Sequence, residues 1–283
     1  MKYSFTLTGF SDEISPDIKA QFKHLQKLSI SFFEPRGING KSISSLNDEE
    51  VEDLVEEMHE FGIKVSSIGS PIGKINITDD FAPHFELFKR TCEIAKKLGT
   101  RYIRVFSFFI PQGEDPKIYR DEVIKRLSAM IQYAKENDII LLHENEKAIY
   151  GEGLENCVDL MQTLYCNNFK AIFDPANFVQ AKQDTKACFN ALKSYIAYMH
   201  IKDAKEDGSV VPAGYGTGNL KYILYELKEM GYKGFLSIEP HLGKFEGLAS
   251  LEREGDKTRV FENSDAGKFT LAYEALNSII ERI

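Results

Sequence analysis

Four short stretches of the chain set a carboxylate or an imidazole directly behind a run of apolar residues. They are His143-Glu144-Asn145-Glu146, Asp174-Pro175-Ala176-Asn177, His200-Ile201-Lys202-Asp203 and Glu239-Pro240-His241. Glu144, Asp174, His200 and Glu239 together offer three carboxylates and one imidazole. That set suits Mn2+, Mg2+ or Co2+ better than a thiolate-type zinc centre would, and Zn2+ is compatible with it. Three carboxylates gathered in one place repel strongly unless a cation offsets them, so convergence would itself argue for one bound divalent metal ion. The competing reading is four separate roles in capping helices and bonding loop backbone.

Convergence requires four strand ends on one rim. The chain alternates a short β-rich run with a longer amphipathic, charged run, eight times over. Strands are expected at 3–7, 30–34, 63–68, 102–106, 139–143, 171–173, 196–201 and 235–238. Helices are expected from residue 15 and over 48–61, 81–98, 119–137, 153–165, 185–192, 220–230 and 266–280. Ser15 is the expected cap of the first helix with Pro16 in its first turn, and Gly62 the stop of the second. The strands are apolar on both faces, as parallel strands covered on both sides are. Eight such units in about 250 residues is the size of a (β/α)8 barrel, whose chemistry sits at the C-terminal strand ends. An open doubly wound sheet fits less well, because the first turn, Leu7-Thr8-Gly9-Phe10-Ser11, has no G-x-G-x-x-G. The expected architecture is a single α/β domain over 1–283, an eight-stranded parallel TIM barrel.

Composition narrows the function classes. Hydrophobic residues at 43% and charged residues at 28% are ordinary globular values, which argues against disorder and fibrous repeats. A net charge of −8 argues against a nucleic-acid partner, whose phosphates call for clustered Lys and Arg. No run reaches the roughly 18 to 20 apolar residues of a membrane span, and the opening MKYSFTLTGFSDE lacks the apolar core of an export signal. The expectation is a soluble, cytoplasmic protein without a membrane partner. Cys92, Cys157, Cys166 and Cys188 show no metal-type spacing and read as reduced thiols.

Several long stretches, in order, resemble the xylose isomerase-like TIM barrel superfamily, the sugar phosphate isomerase/epimerase group related to ketose 3-epimerases and endonuclease IV-type enzymes. They are GFSDEIS, GSPIGKINITDD, HENEKAIYG, FDPANFVQ, HIKDA, VPAGYGTG and FLSIEPHL. The resemblance implies that Glu144, Asp174, His200 and Glu239 hold one divalent ion, and that Glu144 and Glu239 exchange protons with the carbon beside a carbonyl through a metal-stabilised enediolate. Return of the proton gives an epimer or an aldose–ketose isomer of a small carbohydrate. Loss of a β-hydroxyl instead would make the enzyme a lyase or dehydratase. An abasic-site nuclease would need a basic groove and further histidines for a trinuclear zinc centre. Asn177 stands where one such histidine is expected, 203–214 contains none, and Asn177 becomes a substrate-binding candidate instead. A non-catalytic sugar-binding barrel is disfavoured by the presence of both glutamates. Tyr215 replaces a glutamate that similar sequences often carry between two glycines.

Further candidates lie near these positions. His241 and Lys202 return to the same side of an extended chain as Glu239 and His200, and are candidates for substrate hydroxyl and anionic oxygen; the alternative is ordinary loop residues. Glu34 and Arg36 either bind polar groups of the substrate or pair with each other as a salt bridge on the rim. Glu146 and Lys147 are candidates to support Glu144 from behind, while His143 should face away. Lys74 is an isolated candidate for phosphate. The segment 240–265 exceeds the usual connection of about 2 to 6 residues. Through Leu242, Phe245, Leu248, Leu251, Val260 and Phe261 it reads as a lid, a homodimer contact or a short extra helix. Phe106, Phe108 and Phe109 either wall the pocket or join the core.

Overall fold

The structure, a computed structural model, describes residues 5–242 and 264–283. Six parallel strands form one sheet: β6 (Tyr102–Val105), β7 (Ile140–Glu144), β8 (Phe169–Phe173), β9 (Ile196–Ile201), β12 (Phe235–Ile238) and β1 (Thr6–Gly9), in that spatial order. A parallel pair, β2 (Phe32–Phe33) and β5 (Lys64–Val65), fills the remaining arc. The Glu34 N–H donates to Gly9 O at 2.9 Å on one side. On the other, the Ile68 N–H donates to Tyr102 O and the Arg104 N–H to Ile68 O, both at 2.9 Å. These bonds close the TIM barrel. The strands expected at 30–34 and 63–68 shrink to two residues each, because neighbouring backbone there pairs through single bridges such as Ile68–Ile103 rather than a full ladder.

The helices largely start and stop where capping chemistry dictates. In α2 (Asp48–Phe61), Asn47 and Glu50 form a reciprocal capping box and Gly62 closes the helix at φ 64°. In α1 (Ile18–Lys27) the cap is Asp17, which accepts the Lys19 N–H; Ser15, the expected cap, instead accepts the N–H of Asp17. The other major helices are α3 (Phe81–Lys97), α4 (Arg120–Glu136), α5 (Leu154–Leu164), α7 (Thr185–Leu192), α8 (Leu220–Glu229) and α9 (Asp265–Ile280). The helix α6 (Pro175–Gln180) was not expected; Asp174 caps it and Pro175 occupies its first turn. Two hairpins, β3 (Gly37–Ile38) with β4 (Lys41–Ser42) and β10 (Asp203–Ala204) with β11 (Val210–Val211), also fall outside the expected pattern.

Strand alternation sorts the residues into two environments. Ile103, Val105, Leu141, Ala171, Phe173, Met199, Ile201, Leu236 and Ile238 pack in the main core with the helices' apolar faces. Leu142, Ile172 and Tyr198 form a separate buried cluster. Two residues further along the same strands stand Glu144, Asp174 and His200, with Glu239 two beyond Ser237. The strands are therefore not apolar on both faces throughout: Thr8, Glu34, Ser66, Arg104 and Ser237 are buried polar residues on barrel strands or at their ends. Leu242 joins the core, whereas Phe245, Leu248, Leu251, Val260 and Phe261 of the long connection lie outside the described residues.

Candidate metal centre

Each of the four residues reaches the centre for a local reason. Glu144 ends β7 and Glu239 directly follows β12. Asp174 is fixed twice: the Asn145 amide brackets its backbone with two 3.0 Å bonds, and its Oδ1 accepts the Asn177 N–H at 3.1 Å as the cap of α6. That leaves Oδ2 turned into the centre without an aligned hydrogen bond, in charge contact with Lys202 Nζ at 2.9 Å. His200 is fully buried in β9, with Phe10 edge-on to its ring at 5.1 Å. One donor atom from each of Glu144, Asp174, His200 and Glu239 lies within 4.8 Å of the others.

The electrostatics are those of crowded anions with attached cations. Glu144 Oε1 lies 2.9 Å from His200 Nδ1, and its Oε2 accepts from Arg104 Nη1 at 3.2 Å. Burial alone would raise its carboxyl, but the His200 and Arg104 charges outweigh that and hold it well below the usual range. Glu239 is likewise depressed against the pull of burial, by Lys202 at 3.1 Å and His241 at 3.1 Å. Asp174 goes the other way: burial, reinforced by Glu239 and Glu144, raises it despite Lys202. Three carboxylates and an imidazole, with one carboxylate oxygen lacking an aligned hydrogen bond, fit a divalent cation.

The other expected residues divide. Lys202 is buried between Asp174 and Glu239. Asn177 donates to Asn145 O at 2.8 Å and approaches Glu144 Oε1 at 3.4 Å. Arg36 pairs with Asp12, Glu13 and, at 3.6 Å, Glu239. The Glu34–Arg36 rim pair is absent among the described contacts, because Glu34 is fully buried beneath His200, bonded by Tyr198 and Ser237. Glu146 pairs with Lys74 and Lys147 is exposed, so neither contacts Glu144. His143 faces away as expected, bonded to Ser107, and burial lowers it to about 4. Phe106 and Phe108 are both buried: Lys74 and Arg104 stack on Phe106, while Phe108 lies in the main core.

Sequence reasoning missed Arg104 and Phe10. The Arg104 guanidinium stacks on Phe10 and Phe106 at 5.0 Å each and donates to Gly69 O at 3.0 Å besides Glu144. A charged residue inside the apolar run Tyr102-Ile103-Arg104-Val105-Phe106 was the available signal. The missed organiser of the following loop is Asp203, whose carboxylate accepts the N–H groups of Ala204, Gly214, Gly216 and Gly218. A Cβ at Gly216 would lie 2.3 Å from Asp203 Oδ1, which is why that position needs glycine.

Comparison with known proteins bears out the class that the fold defines. Residues 22–258 match the family described as xylose isomerase-like TIM barrel, and the chain belongs to that family. An inosose dehydratase of Mesomycoplasma hyopneumoniae (strain 7448) is 22% identical over 191 residues, covering 63% of this chain and 62% of the relative's length. Among solved structures, the IOLI protein with a bound zinc atom superposes with TM-score 0.76 at 18% identity, covering 98% of this chain and 99% of the other. A D-tagatose 3-epimerase-like protein gives TM-score 0.72 at 17% identity, with 98% and 99% covered. Among the described residues, no helix is long and apolar enough to cross a membrane.

Proposed function

We propose that this chain is a divalent-metal-dependent isomerase or epimerase of a small polyhydroxylated carbonyl compound, a sugar, keto-sugar or cyclitol. The observation that carries the reading is the meeting of Glu144, Asp174, His200 and Glu239 in one buried place, two of them glutamates suited to proton transfer. A bound Mn2+, Mg2+ or Co2+ would supply Lewis acidity toward the substrate's oxygens. Glu144 and Glu239, both held ionised by neighbouring cations, exchange the proton of the carbon beside the carbonyl. Lys202 places a positive charge beside Asp174 and Glu239, suited to negative charge developing on a substrate oxygen. His241, half-exposed beside Glu239, offers a ring nitrogen to a substrate hydroxyl.

A dehydratase is the second reading, supported by the inosose dehydratase relative and by two N–H donors, Lys202 and His241, beside Glu239. Either could protonate a departing hydroxyl. Incubation with Mn2+ and a panel of keto-sugars and inososes in D2O separates the two. Deuterium in an epimer or isomer supports the first reading; an unsaturated or dehydrated product supports the second. Cleavage of an abasic oligonucleotide, with no deuterium entering any panel member, would refute both.

A further inference from the structure

Glu34 follows β2 and lies on the far side of His200 from the other three acids. Its Oε2 accepts the Ser237 hydroxyl at 2.6 Å and the Tyr198 hydroxyl at 2.8 Å, and stands 3.4 Å from His200 Nε2. The opposite ring nitrogen, Nδ1, is 2.9 Å from Glu144 Oε1 and 3.7 Å from Glu239 Oε2. Beneath Glu34, Ser66 Oγ links Thr8 at 2.8 Å, Tyr198 at 2.9 Å and Phe33 O at 3.0 Å. Phe10 and Tyr198 meet the imidazole edge-on, at 5.1 and 5.9 Å. Neither Glu34 Oε1 nor His200 Nε2 has an aligned hydrogen bond among the described residues, although both are buried. Residues on or next to five strands, β1, β2, β5, β9 and β12, thus converge to hold one carboxylate under one imidazole.

We propose that Glu34 is a positioning residue, which accepts the Nε2–H of His200 and so keeps the Nδ1 lone pair directed at a divalent ion shared with Glu144, Asp174 and Glu239. This rests on the metal-dependent reading above. The physical reason is the inventory of the ring: neutral imidazole carries one N–H and one lone pair, and an ionised carboxylate only accepts. Both ring nitrogens face carboxylate oxygens, Nδ1 at 2.9 Å from Glu144 and Nε2 at 3.4 Å from Glu34; with a divalent ion on the Nδ1 lone pair, the one N–H of the neutral ring stays on Nε2, toward Glu34. Tyr198 and Ser237 both donate to the same oxygen, so they hold Glu34 in place without competing as acceptors for the Nε2 proton. An outer partner of this kind fixes both tautomer and ring orientation, and its loss typically weakens metal affinity about 10- to 100-fold.

The test pairs two readouts that do not depend on turnover. Mn2+ affinity is measured by calorimetry, and the 15N resonances of His200 are followed in Zn2+-loaded protein. Wild type should show a protonated, slowly exchanging Nε2. Glu34→Gln should weaken Mn2+ binding about 10- to 100-fold and shift the Nε2–H signal, while Tyr198→Phe and Ser237→Ala should each weaken binding by a few-fold. A Glu34→Gln protein that folds, binds Mn2+ as wild type does and keeps the Nε2–H signal overturns the proposal. Should that variant not fold, unchanged affinity and signal in both hydroxyl variants overturn it equally. Failure of wild type to bind Mn2+ or Zn2+ at all would instead strike the metal-dependent reading, and this proposal with it.

Discussion

The two glutamates of the centre are held in different ways. Glu144 is clamped by groups with little freedom: Arg104, stacked on Phe10 and Phe106 and tied to a backbone carbonyl, the buried His200, and Asn177, itself bonded to backbone. Glu239 is held by longer or more open side chains: Lys202, Arg36 with its side chain 30% exposed, and His241 at 43%. Both carboxylates stay ionised, but Glu239, besides the buried Lys202 and His200, has two partly exposed partners, Arg36 and His241, with room to move toward a substrate. Under the proposed function, this contrast favours Glu144 as the steadier ligand of the ion and Glu239 as the more mobile of the two proton carriers.

Substitutions sharpen that contrast in descending order of effect. Glu144→Gln and Glu239→Gln should each cost about 10²- to 10⁴-fold in kcat. Only Glu144→Gln should also weaken Mn2+ binding severely, as calorimetry would show; equal losses of affinity would erase the distinction. Arg104→Met removes one partner of a buried ion pair and should destabilise the fold by about 3–5 kcal/mol in denaturant unfolding. Lys202→Met leaves Asp174 and Glu239 without their ammonium. This variant should melt below wild type without metal and gain more from Mn2+ than wild type, which itself should gain about 2.7 kcal/mol at a hundredfold excess over Kd. A smaller gain would mean that the ammonium does not compete with the ion.

The smallest effect concerns pH. His84 accepts the Gly73 N–H at 2.8 Å and so pins the loop whose Gly69 and Ser70 carbonyls face Arg104. Burial, with Arg126 nearby, lowers His84 below its ordinary value of 6.5. The unfolded chain therefore takes up the proton first. The contribution is complete above about pH 6.5 and is lost as pH falls through the lowered folded value. His84→Gln should flatten that acid limb in melting curves; an unchanged slope would remove His84 as the pin.

Much of the fold and the centre is legible in the order of the residues alone. Capping residues and apolar period mark α2 to the residue, since Asn47, Glu50 and Gly62 are local signals that need no tertiary context. The four polar strand ends are visible for the same reason: each is adjacent in sequence to its own strand. What fails depends on contacts between strands. Arg104 meets Glu144 across the β6–β7 pair, where it stands opposite Leu142, and no local pattern states that register. Glu34 is expected on the rim, but the shortness of β2 and the hydroxyls of Tyr198 and Ser237 seat it below His200. Helix α6 escapes notice although Asp174-Pro175 carries a cap followed by a first-turn proline.

The proposed function requires four residues distant in sequence to bind a common ion. Its most direct test is anomalous scattering from crystals grown with Mn2+. One strong peak is expected, bonded to Glu144, Asp174, Glu239 and the Nδ1 of His200, with the Lys202 ammonium moved away from Asp174. A manganese peak elsewhere, or none while Lys202 still bridges Asp174 and Glu239, would contradict it.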